Sequence, residues 1–86
     1  MKSTIFVLGS NSFSGSNYIN LLLEKKYRVI GISRGKEINP VYLKYKTNKN
    51  LKLFKFYKLD LNKNLNKIIK LIKKIKPKTI VNFIAQ

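Results

Sequence analysis

At 86 residues and 10.0 kDa the chain is long enough for one small domain, and a hydrophobic content of 44% fits a packed core, not wholesale disorder. It has no cysteine and no histidine, which excludes disulfides and thiolate metal sites and removes the commonest general base and zinc ligand. Nineteen basic residues stand against three acidic ones, Glu24, Glu37 and Asp60, for a net charge of +16.

That charge admits two readings. Clustered cations release counterions from a nucleic-acid backbone, so one reading is a small basic α/β module that binds nucleic acid or another polyanion. The other is compositional drift, since 17 of the 19 basic residues are Lys and only Arg28 and Arg34 are Arg. Base reading and bidentate phosphate contacts favour Arg, and these lysines are scattered through every segment, so drift is preferred. Weak, nonspecific polyanion binding at low salt is expected either way. No apolar run approaches the roughly 20 residues that cross a bilayer, and the opening strand is too short for a signal peptide. The expectation is a cytoplasmic chain with no membrane partner.

In chain order, Thr4 to Leu8 is a continuous apolar run, as suits a central parallel strand covered on both faces. Gly9 through Gly15 is a turn into a helix over about Ser14 to Lys26, with Ile19, Leu22 and Leu23 inward and Ser14 or Ser16 as cap. The first amides of such a helix face outward, and their unsatisfied donors and the positive end of the dipole favour an anion. Arg28 to Ser33 is a second strand, where Gly31 allows a neighbour to approach closely. Strand, helix and strand within about 30 residues make a βαβ unit with a right-handed crossover.

Arg34 to Asn50 is broken by Gly35, Pro40 and the cluster Thr47 to Asn50. It reads as a loop with one short helical turn, pinned to the sheet by Val41, Tyr42, Leu43 and Tyr45. A third strand falls within Leu51 to Leu59, its apolar residues placed as on a half-covered edge, and Asp60-Leu61 ends it. Asn62 or Asn64 caps a second helix over about Leu65 to Lys76, in which Leu65, Ile68, Ile69, Ile72 and Ile75 share one face. Pro77 stops it, and Lys78 to Ala85 is a fourth strand.

The order of elements, the glycine turn, the Asp60-Leu61 pair and the ending Val81-Asn82-Phe83-Ile84-Ala85-Gln86 carry a resemblance over essentially the whole chain. Together they resemble the amino-terminal end of an extended short-chain dehydrogenase/reductase, with nucleotide-sugar epimerases and 4,6-dehydratases as the nearest relatives. The resemblance implies an α/β, Rossmann-like half-domain over residues 1–86. Its four-stranded parallel sheet would have the order 3-2-1-4, with helices on both faces. It covers only the first third or so of such an enzyme.

The family's turn is written G-x-x-G-F-x-G. Gly9, Phe13 and Gly15 match, while Ser12 stands where the middle glycine lets the pyrophosphate approach the backbone. Ser12 adds a Cβ, but also a hydroxyl able to donate to a phosphate oxygen. The resemblance thus implies a dinucleotide site drawn from the turn Gly9, Ser10, Asn11, Ser12, Phe13, Ser14 and Gly15, and from Ser33, Arg34, Asp60, Leu61, Phe83 and Ala85. NAD-preferring relatives end the second strand on an acid; here Ser33-Arg34 follows it, and no acid comes before Glu37. A guanidinium pairs with a 2′-phosphate that a carboxylate would repel, so the implied cofactor is NADP in preference to NAD. Asp60 would accept from the adenine amino group. Phe83 and Ala85 would line the cofactor, with Ile84 bulkier than the usual alanine, and Gln86 matches the dehydratase branch.

Each of these residues has a plainer role open to it. The glycines suit any tight strand-to-helix turn, Asp60 suits a helix cap or a lysine partner, Arg34 a solvated surface, and the aromatic residues a core. What favours a site is that the turn, Arg34, Asp60 and Ala85 all fall at the carboxyl ends of expected parallel strands, where the crevice of an open α/β sheet lies.

Catalysis in the family rests on a Tyr-x-x-x-Lys pair and a Ser or Thr beyond the fourth strand. Tyr42 and Lys46 have that spacing but lie in the loop before the third strand, so no catalytic residue is assigned. The expectation is the cofactor-binding portion of an epimerase or dehydratase, a fragment or split frame that is catalytically incomplete. A nucleotide sugar would bind only a full-length parent. The fourth strand, with Ile80, Val81, Phe83 and Ile84, would be an apolar edge that leaves the chain marginal or self-associating.

Overall fold

Ile5, Phe6, Val7 and Leu8 are buried on both faces of the sheet, which is why this run carries no polar alternation. The computed structural model describes residues 3–37 and 43–84. The run belongs to β1 (Thr4–Leu8), and it is followed by α1 (Phe13–Glu24) and β2 (Arg28–Ser33). Two 3-10 turns, Lys44–Thr47 and Leu51–Leu53, lead into β3 (Phe54–Lys58), α2 (Leu65–Ile75) and β4 (Thr79–Asn82). All pairings are parallel and the strand order is β3-β2-β1-β4. Phe6 lies beside Ile30 on one side and Ile80 on the other, so alternate residues of each strand feed alternate faces.

Those faces hold two cores. Ile5, Val7 and Val29 pack against Ile19, Leu22 and Leu23 of α1, with Leu43 and Tyr45 closing that layer. Phe6, Leu8, Ile30 and Ile32 pack against Ile68 of α2, with Leu71, Ile72 and Ile75 beside it. The expected α/β sandwich, its order and its helices on both faces are what the structure shows. Gly31 takes the close approach read from the sequence: a Cβ there would come within 2.7 Å of the Phe54 ring and 2.8 Å of Ser10 Cβ.

Several local expectations are corrected. Neither Ser14 nor Ser16 caps α1. Ser12 does, because the helix begins one residue earlier, at Phe13, and Ser12 is the extended residue before it. Ser16 instead donates from Oγ to Phe13 O at 3.0 Å. The helix also ends at Glu24, before its lysines: Tyr27 N donates to Leu22 O and Lys26 N to Leu23 O, a Schellman closure that puts Lys26 at φ +65°. The third strand does fall within Leu51 to Leu59, at Phe54–Lys58, preceded by the 3-10 turn Leu51–Leu53, in which Leu51 N and Leu53 N are spent on Asn48 O and Asn50 O.

Asn64 occupies the cap position of α2, yet its side chain turns back to accept from Asp60 N at 2.8 Å and makes no cap bond. The inward stripe of α2 is Ile68, Leu71, Ile72 and Ile75, while Leu65 and Ile69 are 49% and 39% exposed. A stripe expected to include Leu65 and Ile69 thus narrows to the residues that pack on Phe6, Leu8, Ile30 and Ile32. β4 is shorter than expected, and it is an edge, with Ile80 and Ile84 exposed. Val41 and Tyr42, expected to pin the loop, lie outside the described residues, as do Ala85 and Gln86. No helix is long and apolar enough to cross a membrane among the described residues.

Candidate functional site

At the carboxyl ends of the strands, β1 turns into α1 through Gly9. Its amide donates to Ile32 O at 2.8 Å, and its φ is +82°. That conformation, and Phe83 C within 2.9 Å of where a Cβ would sit, leave room for glycine alone. Gly15, one turn into α1, stands against the carbonyl oxygen of Gly9, which is how the helix start is brought down onto the strand end.

Ser12 holds the bend between them. Its Oγ donates to Gly9 O at 2.8 Å and accepts from Gly15 N at 2.9 Å. A hydroxyl has one proton, so the donor that the sequence left open to a phosphate is spent inside the turn. Ser12 has φ −74° and ψ 159°, ordinary extended backbone, so this position does not need a glycine for its conformation. With Gly15 N capped and Ser16 N bound to Ser12 O, the amides of Phe13 and Ser14 have no acceptor among the described residues. Two free donors at a helix start, under its dipole, are an anion cradle.

A cleft of about 450 Å³ opens beside this turn, lined by Gly9, Ser12, Ser33, Arg34, Asp60, Leu61 and Phe83 together with Leu59, Asn62 and Ile84. It is framed by the ends of all four strands. Arg34 directly follows β2 and is exposed. Asp60 follows β3 in a tight turn, with Oδ1 accepting from Asn62 N at 2.8 Å and Asp60 O accepting from Asn64 N at 2.6 Å. Asp60 thus closes the turn that leads to the Asn64 cap position without capping α2 itself, and it also stands in the cleft wall. Phe83 packs its ring against Tyr18 at 5.6 Å, tying the β4 end to α1.

The other residues of the turn lie outside the cleft. Ser10 is fully buried against Gly31, with an Oγ that has no partner among the described residues. Asn11 reaches the other way, to the chain after β2, with Nδ2 at 2.7 Å from Lys36 O. The Phe13 side chain is 78% exposed, and Ser14 is exposed. Leu59, Asn62 and Ile84 were not assigned from the sequence, although each adjoins an assigned residue at a strand end.

Glu37, the first acid after β2, is committed elsewhere. Its Oε2 accepts from the buried Tyr45 hydroxyl at 2.6 Å and its Oε1 pairs with Lys46 Nζ at 2.8 Å. Burial first, then the Glu37 hydrogen bond and charge, raise the Tyr45 phenol well above the usual tyrosine value. Lys46, half of the Tyr-x-x-x-Lys spacing, is thereby a structural partner of Glu37. No cluster of three or more metal-ligating side chains occurs among the described residues.

A parallel sheet in the order β3-β2-β1-β4, with a glycine bend feeding a helix at its carboxyl edge, defines a Rossmann-like α/β protein. The profile of the GDP-mannose 4,6 dehydratase family matches residues 6–86, and the chain belongs to that family. Among solved structures, dTDP-glucose 4,6-dehydratase (rfbB) from Bacillus anthracis str. Ames, in complex with NAD, is 24% identical with a TM-score of 0.76, over 98% of this chain and 27% of that one. The Bordetella bronchiseptica enzyme WbmH, in complex with NAD+, is 23% identical with a TM-score of 0.75, over 100% of this chain and 27% of that one. ElxO with NADP bound is 25% identical with a TM-score of 0.70, over 95% of this chain and 34% of its own. The chain therefore spans between a quarter and about a third of the length of these structures. No curated protein sequence matches.

Proposed function

We propose that these 86 residues form the adenosine and pyrophosphate side of a nicotinamide dinucleotide site, in a protein of nucleotide-sugar dehydratase or epimerase type. The observation that carries this is the shared cleft: the bend at Gly9 and Ser12, Arg34 after β2 and Asp60 after β3 line one crevice at the carboxyl edge. The residues fit such a group. Phe13 N and Ser14 N, at the helix start beside the cleft, would donate to the pyrophosphate, and Asp60, Leu61, Ser33 and Arg34 of the cleft wall would hold the adenosine. Phe83 would form the far wall. The named structures hold NAD or NADP, which supports the cofactor class. The dinucleotide, when bound, would supply hydride chemistry on a nucleotide sugar in the longer parent; residues 1–86 are assigned the binding and not the chemistry.

NADP(H) is favoured over NAD(H). Arg34 is the charged side chain at the β2 end of the cleft, and the nearest acid in sequence, Glu37, is paired with Lys46 and accepts a hydrogen bond from Tyr45. Calorimetry with NADPH and NADH tests this on the chain itself. NADPH is expected to bind more tightly, and Arg34→Ala to weaken NADPH by about tenfold or more while leaving NADH within about twofold. A chain that binds neither overturns the reading. NADH binding as tightly as NADPH overturns the preference.

A second reading rests on Lys67, Lys70, Lys73 and Lys74, all exposed along α2. They support weak polyanion binding, which should vanish at physiological salt if it is nonspecific. The free edge of β4 supports association of copies as a secondary behaviour, opposed by a charge of +16 on each.

A further inference from the structure

Asn11 sits in the glycine bend but outside the cleft. Its Nδ2 donates to Lys36 O at 2.7 Å and to Gly35 O at 3.3 Å, linking positions 24 and 25 residues apart. We propose that Asn11 is a positioning residue that fixes the segment carrying Arg34, and so sets the discrimination for a 2′-phosphorylated nucleotide. The inference rests on the dinucleotide reading and adds to it the residue through which the glycine bend controls specificity.

Arg34 immediately precedes the two carbonyls that Asn11 holds. Gly35 itself is not packed in on its side-chain side: a Cβ built on it would meet no atom within 4 Å. The next anchor along the chain is Glu37, tied to Tyr45 and Lys46. Asn11 and Glu37 thus hold the chain just after Arg34 from two sides, and the Asn11 bonds act on the two residues next to it.

The amide of Asn11 cannot be turned over. Both its donors face carbonyl oxygens, and reversing it would set its own oxygen against them. The present orientation leaves Asn11 Oδ1 buried with no partner among the described residues, a burial that costs stability and calls for a compensating role. Holding a long, flexible guanidinium in place before binding is such a role, because ordering it at the moment of binding subtracts from affinity. A loop free to swing would still admit adenosine diphosphate, which asks nothing of Arg34, but would lose its grip on a 2′-phosphate.

The test compares 2′,5′-ADP with ADP by calorimetry on the chain, in Asn11→Leu, Arg34→Ala and the double variant. Asn11→Leu keeps size and removes the donors. It is expected to weaken 2′,5′-ADP by about tenfold and ADP by less than about twofold. In the Arg34→Ala background it should change the ratio no further, because the effect runs through Arg34. Additive losses, or an unchanged ratio in Asn11→Leu, overturn the proposal. Should Asn11→Leu not fold, Asn11→Ala carries the same comparison.

The clamp is also read without ligand, as faster amide exchange at Gly35, Lys36 and Glu37 in the Asn11 variant. Unchanged exchange overturns it whatever the nucleotide result. A wild-type chain that binds neither probe overturns the dinucleotide reading and the specificity role with it, while accelerated exchange would still show the clamp to be real.

Discussion

Gly15 lies so close to the carbonyl oxygen of Gly9 that a Cβ on Gly15 would collide with it, and would stand 2.8 Å from Ser12 Oγ. The two glycines of the bend are therefore one contact, and the second is required by packing where the first is required by its φ of +82°. Gly15→Ala must push α1 off the end of β1 or break the Ser12 cap. The expected loss is on the order of 3 kcal/mol in denaturant unfolding, with nucleotide binding abolished. Gly35→Ala is the control: its Cβ would meet nothing, so its stability should stay within about 0.5 kcal/mol of wild type or rise slightly. A Gly15→Ala chain as stable as wild type would contradict this geometry.

The Tyr45–Glu37 bond predicts an alkaline weakness. The folded chain holds the phenolic proton to higher pH than the unfolded chain, whose tyrosine titrates near about 10. Its contribution is complete below that pH and declines as pH rises beyond it, since the folded state then binds more protons than the unfolded one. Tyr45→Phe should cost about 1–2 kcal/mol at pH 7 and flatten the fall in stability between about pH 10 and 11. The difference between the two chains isolates Tyr45, because every other group is common to both. Urea midpoints at the two pH values check it; an equal fall in both chains would exclude Tyr45 as the source.

Lys26 and Lys76 are the described non-glycine residues with positive φ, at +65° and +54°. Each closes a helix in the left-handed region, where a Cβ is disfavoured by about 1–2 kcal/mol. Lys26→Gly is expected to raise stability by about 1 kcal/mol, or roughly 5 °C in Tm. Lys25→Gly, next to it at φ −85°, should do the opposite. Thermal unfolding of the pair checks the sign, and destabilisation by both would contradict the Schellman closure at this helix end.

Much of this molecule was legible in its sequence because the signals are local. The run Thr4–Leu8 has no polar alternation, Ile19, Leu22 and Leu23 recur at helical spacing, and Pro77 ends a periodic segment; burial and backbone sterics suffice to turn those into a strand, a helix and a stop. The positions of Arg34 and Asp60 at strand ends followed from the same reading, since parallel strands bring their carboxyl ends to one edge.

Tertiary contact decided the rest. That Ser12 and not Ser14 caps α1 depends on where Gly15 meets Gly9, and the hydroxyl is consumed there by a carbonyl and an amide that only the folded turn brings together. That Glu37 leaves the β2 end to Arg34 depends on Tyr45 and Lys46, eight and nine residues on, closing around its carboxylate. Asn11 reads in the sequence as one more small polar turn residue, and it acquires a role only because the sheet places Gly35 and Lys36 across from it. Periodicity reports which side of an element is buried; it carries no information on which hydrogen-bonding group across the fold will take a given donor, and that pairing is what separates the residues lining the cleft from those holding it in shape.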